Sequence, residues 1–167
     1  MNKEEIYNLL NGKNILYEIT NHKAVYNMEE IKDIDIPYPL WGAKNLFVSD
    51  DKKRNYYLIT LRGDKKINLK EFKKKYGLRP LSFASEEDLY KYLKLNPGSV
   101  TPLGLLNDEQ RKVKFYLDLE FKNELIGVHP NDNTATVWLK TNDLVSLIKE
   151  HGSEFEFFEL NNWLKYF

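Results

Sequence analysis

Three short segments carry residue types that can act on an ester or a phosphate. The first, Trp41-Gly42-Ala43-Lys44-Asn45-Leu46-Phe47-Val48, sets an ammonium and a carboxamide at the entrance of an apolar run. Turned inward, Lys44 can hold a carbonyl oxygen or phosphate and the Asn45 amide can orient a substrate group, which is the preorganised electrostatic help that ester cleavage needs. Turned outward, the two merely begin a strand at the surface. The second segment, Leu95 to Gly104, holds Gly98, Ser99, Val100, Thr101 and Pro102. Its two prolines fix backbone angles, and its glycines permit positive φ or close approach. The amides of Gly98, Ser99 and Val100 can bind an oxyanion, or the loop is a plain turn. In the third, Gly127 to Thr136, Pro130 biases His129 toward extended backbone and so fixes the direction of its ring. His129 is then either an acid–base or orienting group, or a structural hydrogen-bonding residue.

Familiar catalytic signatures are missing: the chain has no GxSxG elbow, P-loop, HExxH or Gly-rich dinucleotide turn. Its three histidines, at 22, 129 and 151, are scattered, so no metal site is expected. The lack of cysteine excludes a thiol nucleophile, a disulfide framework and Cys-ligated zinc. The opening MNKEEIYNLLNGKN mixes acids with lysines and reads as an amphipathic helix, not a signal peptide. With no apolar run long enough to span a bilayer, a cytoplasmic protein without membrane partners is expected.

The 25 basic and 25 acidic residues cancel, which excludes a polyanion binder held by net charge. Their placement is uneven, because Lys52 to Arg79 holds eleven basic residues against two acidic ones. That stripe, with Lys70, Lys73, Lys74, Lys75 and Arg79 at its end, either meets phosphates or is a solvated helix face.

The elements that must position these residues are legible from capping and periodicity. A first helix is predicted over 3–11, with Ile6, Leu9 and Leu10 on one face, and an extended segment over Leu16 to Thr20. Asn27 with Glu30 predicts a short helix from Met28 to before Pro37. Asn45 to Ser49 and Tyr56 to Leu61 read as a hairpin turned at Asp50 to Asn55. Asn68 with Glu71 opens a basic helix ending at Gly77; Ser85 with Asp88 opens another ending near Leu95. Leu81 to Ala84 is bracketed between them. Further strands are expected at Lys114 to Leu119, Thr136 to Leu139 and Phe155 to Leu160, with a helix after Thr141. The aromatic end, Trp163, Tyr166 and Phe167, should pack onto the domain or a partner. At 167 residues with 42% hydrophobic content, the chain should bury one core as a single domain, 1–167. Irregular alternation of strands and helices makes it mixed α/β (α+β-like), with a mixed, largely antiparallel sheet flanked by helices.

Taken in order, the segments resemble the prolyl-tRNA editing family, also called the YbaK-like or aminoacyl-tRNA deacylase domain. The resemblance runs from about Tyr17 to Leu160. It rests on Tyr17-Glu18-Ile19-Thr20-Asn21-His22, Ala43-Lys44-Asn45-Leu46-Phe47, Leu81-Ser82-Phe83-Ala84-Ser85 and Pro97-Gly98-Ser99-Val100-Thr101-Pro102-Leu103-Gly104-Leu105. It continues in Asn107-Asp108, Leu117-Asp118, His129-Pro130-Asn131, Asn133-Thr134-Ala135-Thr136 and Asp143-Leu144. What the resemblance implies is a pocket for the aminoacyl-adenosine end of tRNA and hydrolysis of the ester without a cofactor. Lys44, Asn45 and His129 are implied as catalytic, with the terminal ribose 2′-hydroxyl assisting. His22, the loop Gly98 to Pro102 and Asn131 are implied as substrate-binding, with that loop measuring the amino acid. The branch looks like the alanine-specific one, acting on Ala-tRNA(Pro) with prolyl-tRNA synthetase as a transient partner. Such an editor is needed because a missing methylene is worth only about 1–3 kcal/mol in a proline pocket. Two alternatives stand: an aminoacyl-tRNA or amino-acid binder without turnover, and a related editor of Cys- or Ser-charged tRNA. The Ile34 to Trp41 stretch is bulkier and richer in proline than the family pattern, which leaves the substrate preference open.

Overall fold

The computed structural model describes residues 1–24 and 36–159. The helix expected from Met28, the end of the strand expected to reach Leu160 and the aromatic terminus lie outside the described residues.

The expected hairpin forms from β2 (Ala43–Asp50) and β3 (Tyr56–Arg62), in a register that sets Asn45 opposite Thr60. Its turn is held by one carboxylate. Asp50 accepts from the amides of Lys52 and Arg54 through one oxygen and from the Asn55 side chain through the other. After β3 come α2 (Leu69–Tyr76), β4 (Leu81–Phe83) and α3 (Glu86–Leu93). Both helices start at the expected caps: Asn68 accepts from the amides of Lys70 and Glu71, and Ser85 from that of Asp88. Each such cap contributes about 1 kcal/mol.

β4 pairs antiparallel with the outer edge of β2. β5 (Val113–Asp118) and β8 (Phe155–Phe158) add in parallel on the other side, giving a five-stranded sheet of order β4-β2-β3-β5-β8. A separate three-stranded antiparallel sheet, β1-β7-β6, is built from β1 (Tyr17–Asn21), β6 (Leu125–Val128) and β7 (Ala135–Lys140). The fold is therefore mixed α/β with two sheets where one was expected. β6 is the strand that the sequence did not announce, because four residues interrupted by Gly127 carry little periodicity.

The central strands of the five-stranded sheet, β2, β3 and β5, are largely buried on both faces. Phe47, Leu58, Phe115 and Leu117 point toward the small sheet and toward α1 (Lys3–Gly12), α3 and α4 (Thr141–His151). Val48, Ile59, Leu61 and Tyr116 point the other way, where Phe72 of α2 meets Tyr116 and Phe158 edge-on. Strand alternation thus separates a pocket-side core from an α2-side core.

The two sheets touch at a bridge between Gly42 and Gly127, just before β2 and within β6. Gly127 is required there. A Cβ at this position would lie 2.3–2.7 Å from three ring atoms of Trp138, so only glycine lets the indole lie against the backbone.

Candidate active site

Where the sheets meet, their ends enclose a cavity of about 210 Å³. Ala43 and Asn45 of β2 and Gly63 and Asp64 just past β3 form one side. Thr20, His22, Val128, His129, Thr136 and Trp138, from the small sheet and its flanks, form the other. Ile36 and Pro39, ahead of β2, also line it.

Each polar group in this cavity is held by a partner behind it. The Thr60 hydroxyl donates to Asn45 Oδ1 at 2.6 Å, so the Asn45 amide presents its NH2 as a donor. His129 Nδ1 lies 2.8 Å from the Ala135 carbonyl, which accepts and so places the proton on Nδ1 and leaves Nε2 as a lone pair. His22 is fixed the same way, with Nδ1 donating to the Lys23 carbonyl at 2.7 Å and Nε2 3.0 Å from the Thr136 hydroxyl. The two imidazoles meet edge to face at 5.9 Å. Burial holds the His129 pKa below its ordinary value, His22 adds to the depression, and the Ala135 hydrogen bond opposes it. Trp138 is anchored by donation to Thr20 Oγ1 at 2.9 Å and by the edge of Tyr38.

Lys44, next to Asn45, falls on the opposite face of β2, since adjacent strand residues point to opposite sides. Its ammonium donates to the Lys65 carbonyl at 2.6 Å and is not part of the cavity wall. Its pKa is lowered by burial first and by Lys66 next, with Asp64 acting against both.

The loop Gly98 to Pro102 is not among the residues lining this cavity and meets the site through the backbone of His129. Gly98 has φ +87, which suits glycine, and the buried Thr101 donates to the His129 carbonyl at 2.6 Å. The loop therefore backs the backbone that carries His129. Asn131 adopts φ +61 and donates to the Met1 carbonyl, tying down the turn after His129.

The basic stripe does not act as one surface. Lys65 is buried against Asp118 at 2.7 Å and Glu120 at 3.0 Å; Arg62 clasps Asp64 through two 2.7 Å contacts and reaches Glu120 at 3.1 Å. Arg79 pairs with Asp51, and Lys75 donates to the Glu159 carbonyl. Lys70 and Lys74 are exposed on α2 and Lys73 half-buried, and none of the three makes an ion pair with another described residue.

Asp64, Thr60 and Trp138 were not singled out from the sequence, and Thr136 entered only as part of a motif. The hairpin register is the signal that could have found Thr60, because it sets Thr60 opposite Asn45. Among the described residues no group of three or more His, Asp or Glu is placed to hold a metal, and no helix is long and apolar enough to cross a membrane.

Comparison with known proteins points one way. A family model described as the aminoacyl-tRNA editing domain matches residues 22–147. Prolyl-tRNA editing protein ProX of Acetoanaerobium sticklandii is 42% identical over 159 residues, 95% of this chain and 97% of that one. Prolyl-tRNA synthetase associated domain-containing protein 1 of Mus musculus is 36% identical over 161 residues, 91% of this chain and 92% of that one. A solved structure of a candidate trans-editing enzyme for prolyl tRNA synthetase superposes with a TM-score of 0.67 at 16% identity, covering 95% of this chain and 97% of that one.

Proposed function

The chain belongs to the aminoacyl-tRNA editing domain family, and from that premise we propose that it hydrolyses the ester of mischarged Ala-tRNA(Pro), releasing alanine and free tRNA. The observation that carries this reading is the Asn45 amide, held by Thr60 with its NH2 toward a small, largely apolar cavity that it shares with His129.

The ester carbonyl accepts from the Asn45 NH2, so negative charge developing on that oxygen meets a donor already in place. Water adds to the carbonyl carbon, held by the lone pair on His129 Nε2. The tetrahedral species collapses with the terminal ribose oxygen as leaving group, which takes up the proton that the attacking water gave up to His129 Nε2. An aminoacyl ester is already activated, so orientation and charge stabilisation are enough without a covalent nucleophile. In this reading Lys44, outside the cavity on the other face of β2, meets the terminal phosphate or, on leaving the Lys65 carbonyl, the substrate. Thr101 and the Gly98 to Pro102 loop position His129. Lys70, Lys73 and Lys74 meet the acceptor stem; prolyl-tRNA synthetase is a transient partner.

The test is release of labelled alanine from Ala-tRNA(Pro), measured beside Ser-, Cys- and Pro-charged tRNA(Pro). Rapid release of alanine alone is expected, with Asn45→Ala lowering the rate about 100- to 1,000-fold. Faster release of serine or cysteine would reassign the substrate. Binding of tRNA without release from any of the four would make the protein a binder. For the stem contact, replacing Lys70, Lys73 and Lys74 with Ala should reduce the slope of log affinity against log salt by about 2 to 3. An unchanged slope would return α2 to ordinary surface.

A further inference from the structure

The walls of the cavity are unequal in charge. Asp64 is the one carboxylate among its described lining residues, and none of those residues is Lys or Arg. The other polar side chains there are Asn45, two histidines, two threonines and the indole N–H of Trp138, which donates to Thr20. Asp64 is also held in place: the Arg62 guanidinium donates to both of its oxygens at 2.7 Å, and Arg62 in turn is anchored to Glu120 and lies over the Trp41 ring at 6.0 Å. A forked pair of this kind uses one acceptor site on each oxygen and leaves the others open.

From this geometry we infer that Asp64 recognises the α-ammonium of the amino acid in the cavity, so that the site accepts α-aminoacyl esters and discriminates against esters lacking that charge. The inference rests on the editing reading, and it names the group that selects the substrate class. An aminoacyl ester brings an α-ammonium into the pocket, and the half-exposed Asp64 carboxylate, though paired with Arg62, is the acidic group of the lining with acceptor sites left to meet it. Asn45 and Asp64 then grip the same substrate at two points, the carbonyl oxygen through a donor and the nitrogen through an acceptor. Two points on adjoining groups orient the carbonyl face toward the water beside His129, which one contact cannot do. Arg62 is a positioning residue in this arrangement, holding the carboxylate ionised and aimed.

The experiment compares Ala-tRNA(Pro) with lactyl-tRNA(Pro), in which a hydroxyl replaces the α-ammonium, as substrates for the full chain and for Asp64→Asn. The intact protein should favour the alanyl ester. Asp64→Asn should lose about tenfold or more in kcat/KM on the alanyl ester while changing the lactyl ester by less than about twofold, because loss of the Arg62 pair bears on both esters alike whereas loss of the contact to the ammonium bears on the alanyl ester alone. The ratio of the two rates within one preparation does not depend on how much of the variant folds. Equal losses on both esters would overturn the inference and leave Asp64 as a support for Arg62; so would an unchanged rate on the alanyl ester. If the intact protein cleaves neither, the editing reading itself fails and the inference with it, a result distinct from cleavage of both without discrimination.

Discussion

At the scale of single residues, the site works through groups whose orientation is decided by a neighbour. Asn45 presents donors only because Thr60 occupies its oxygen. Thr60→Val should therefore cost about 1 kcal/mol of stability in urea unfolding, while slowing single-turnover deacylation about tenfold as the amide loses its preferred orientation. His129 gives a second test, with the sign set by burial. Its folded pKa lies below the ordinary 6.5, so below that pH the unfolded chain binds the proton more readily. Its contribution to stability is thus fully present above about pH 6.5 and is lost as the pH falls toward the folded pKa. Unfolding free energies of the intact protein and His129→Gln should run parallel above that pH and converge below it; parallel curves throughout would remove His129 as the cause.

At the scale of elements, close contact between β6 and β7 shapes the cavity. Trp138 lies on the backbone of Gly127, donates to Thr20 on β1 and is met edge-on by Tyr38. Gly127→Ala should force the indole from this seat, costing about 1–3 kcal/mol as overpacking does. Thermal unfolding would show the loss, and a changed near-ultraviolet tryptophan signal would show that the ring had moved. A neutral result would mean that β6 can shift away from β7 without strain. The same pairing explains why the short β6 forms at all, since its partner strand supplies what its own periodicity lacks.

At the scale of the molecule, the charged turn after β3 is locked to the end of β5. The Lys65 ammonium meets Asp118 and Glu120 in the interior, and Asp118 also accepts from the backbone amides of Arg62 and Glu120. These contacts hold the turn carrying Gly63 and Asp64 against the pocket. Lys65→Met should destabilise the protein by about 3 kcal/mol, the low end for a broken buried pair because the amide donors remain. Urea unfolding should show the loss, and Lys65→Met with Asp118→Asn should recover part of it. Equal stability of the single variant and the intact protein would mean that the pair contributes nothing net.

Local chemistry makes much of this molecule legible from the sequence alone. Asn68 and Ser85 announce their helices because a cap is satisfied within three residues, and the β2–β3 hairpin follows from two apolar runs about a charged turn. Asn45 and His129 are likewise visible as residue types suited to an ester. What the tertiary structure decided was which neighbours share a cavity. Strand alternation sends Lys44 to one face and Asn45 to the other, and the loop at Gly98 meets the site through the Thr101 hydrogen bond to the His129 carbonyl. Lys65 counts as one more surface lysine until β5 brings Asp118 to it, 53 residues away. Asp64 enters the pocket only because a five-stranded and a three-stranded sheet meet at Gly42 and Gly127. Caps and strand periods are satisfied within a few residues, whereas a pocket is a coincidence of distant segments that only packing brings together.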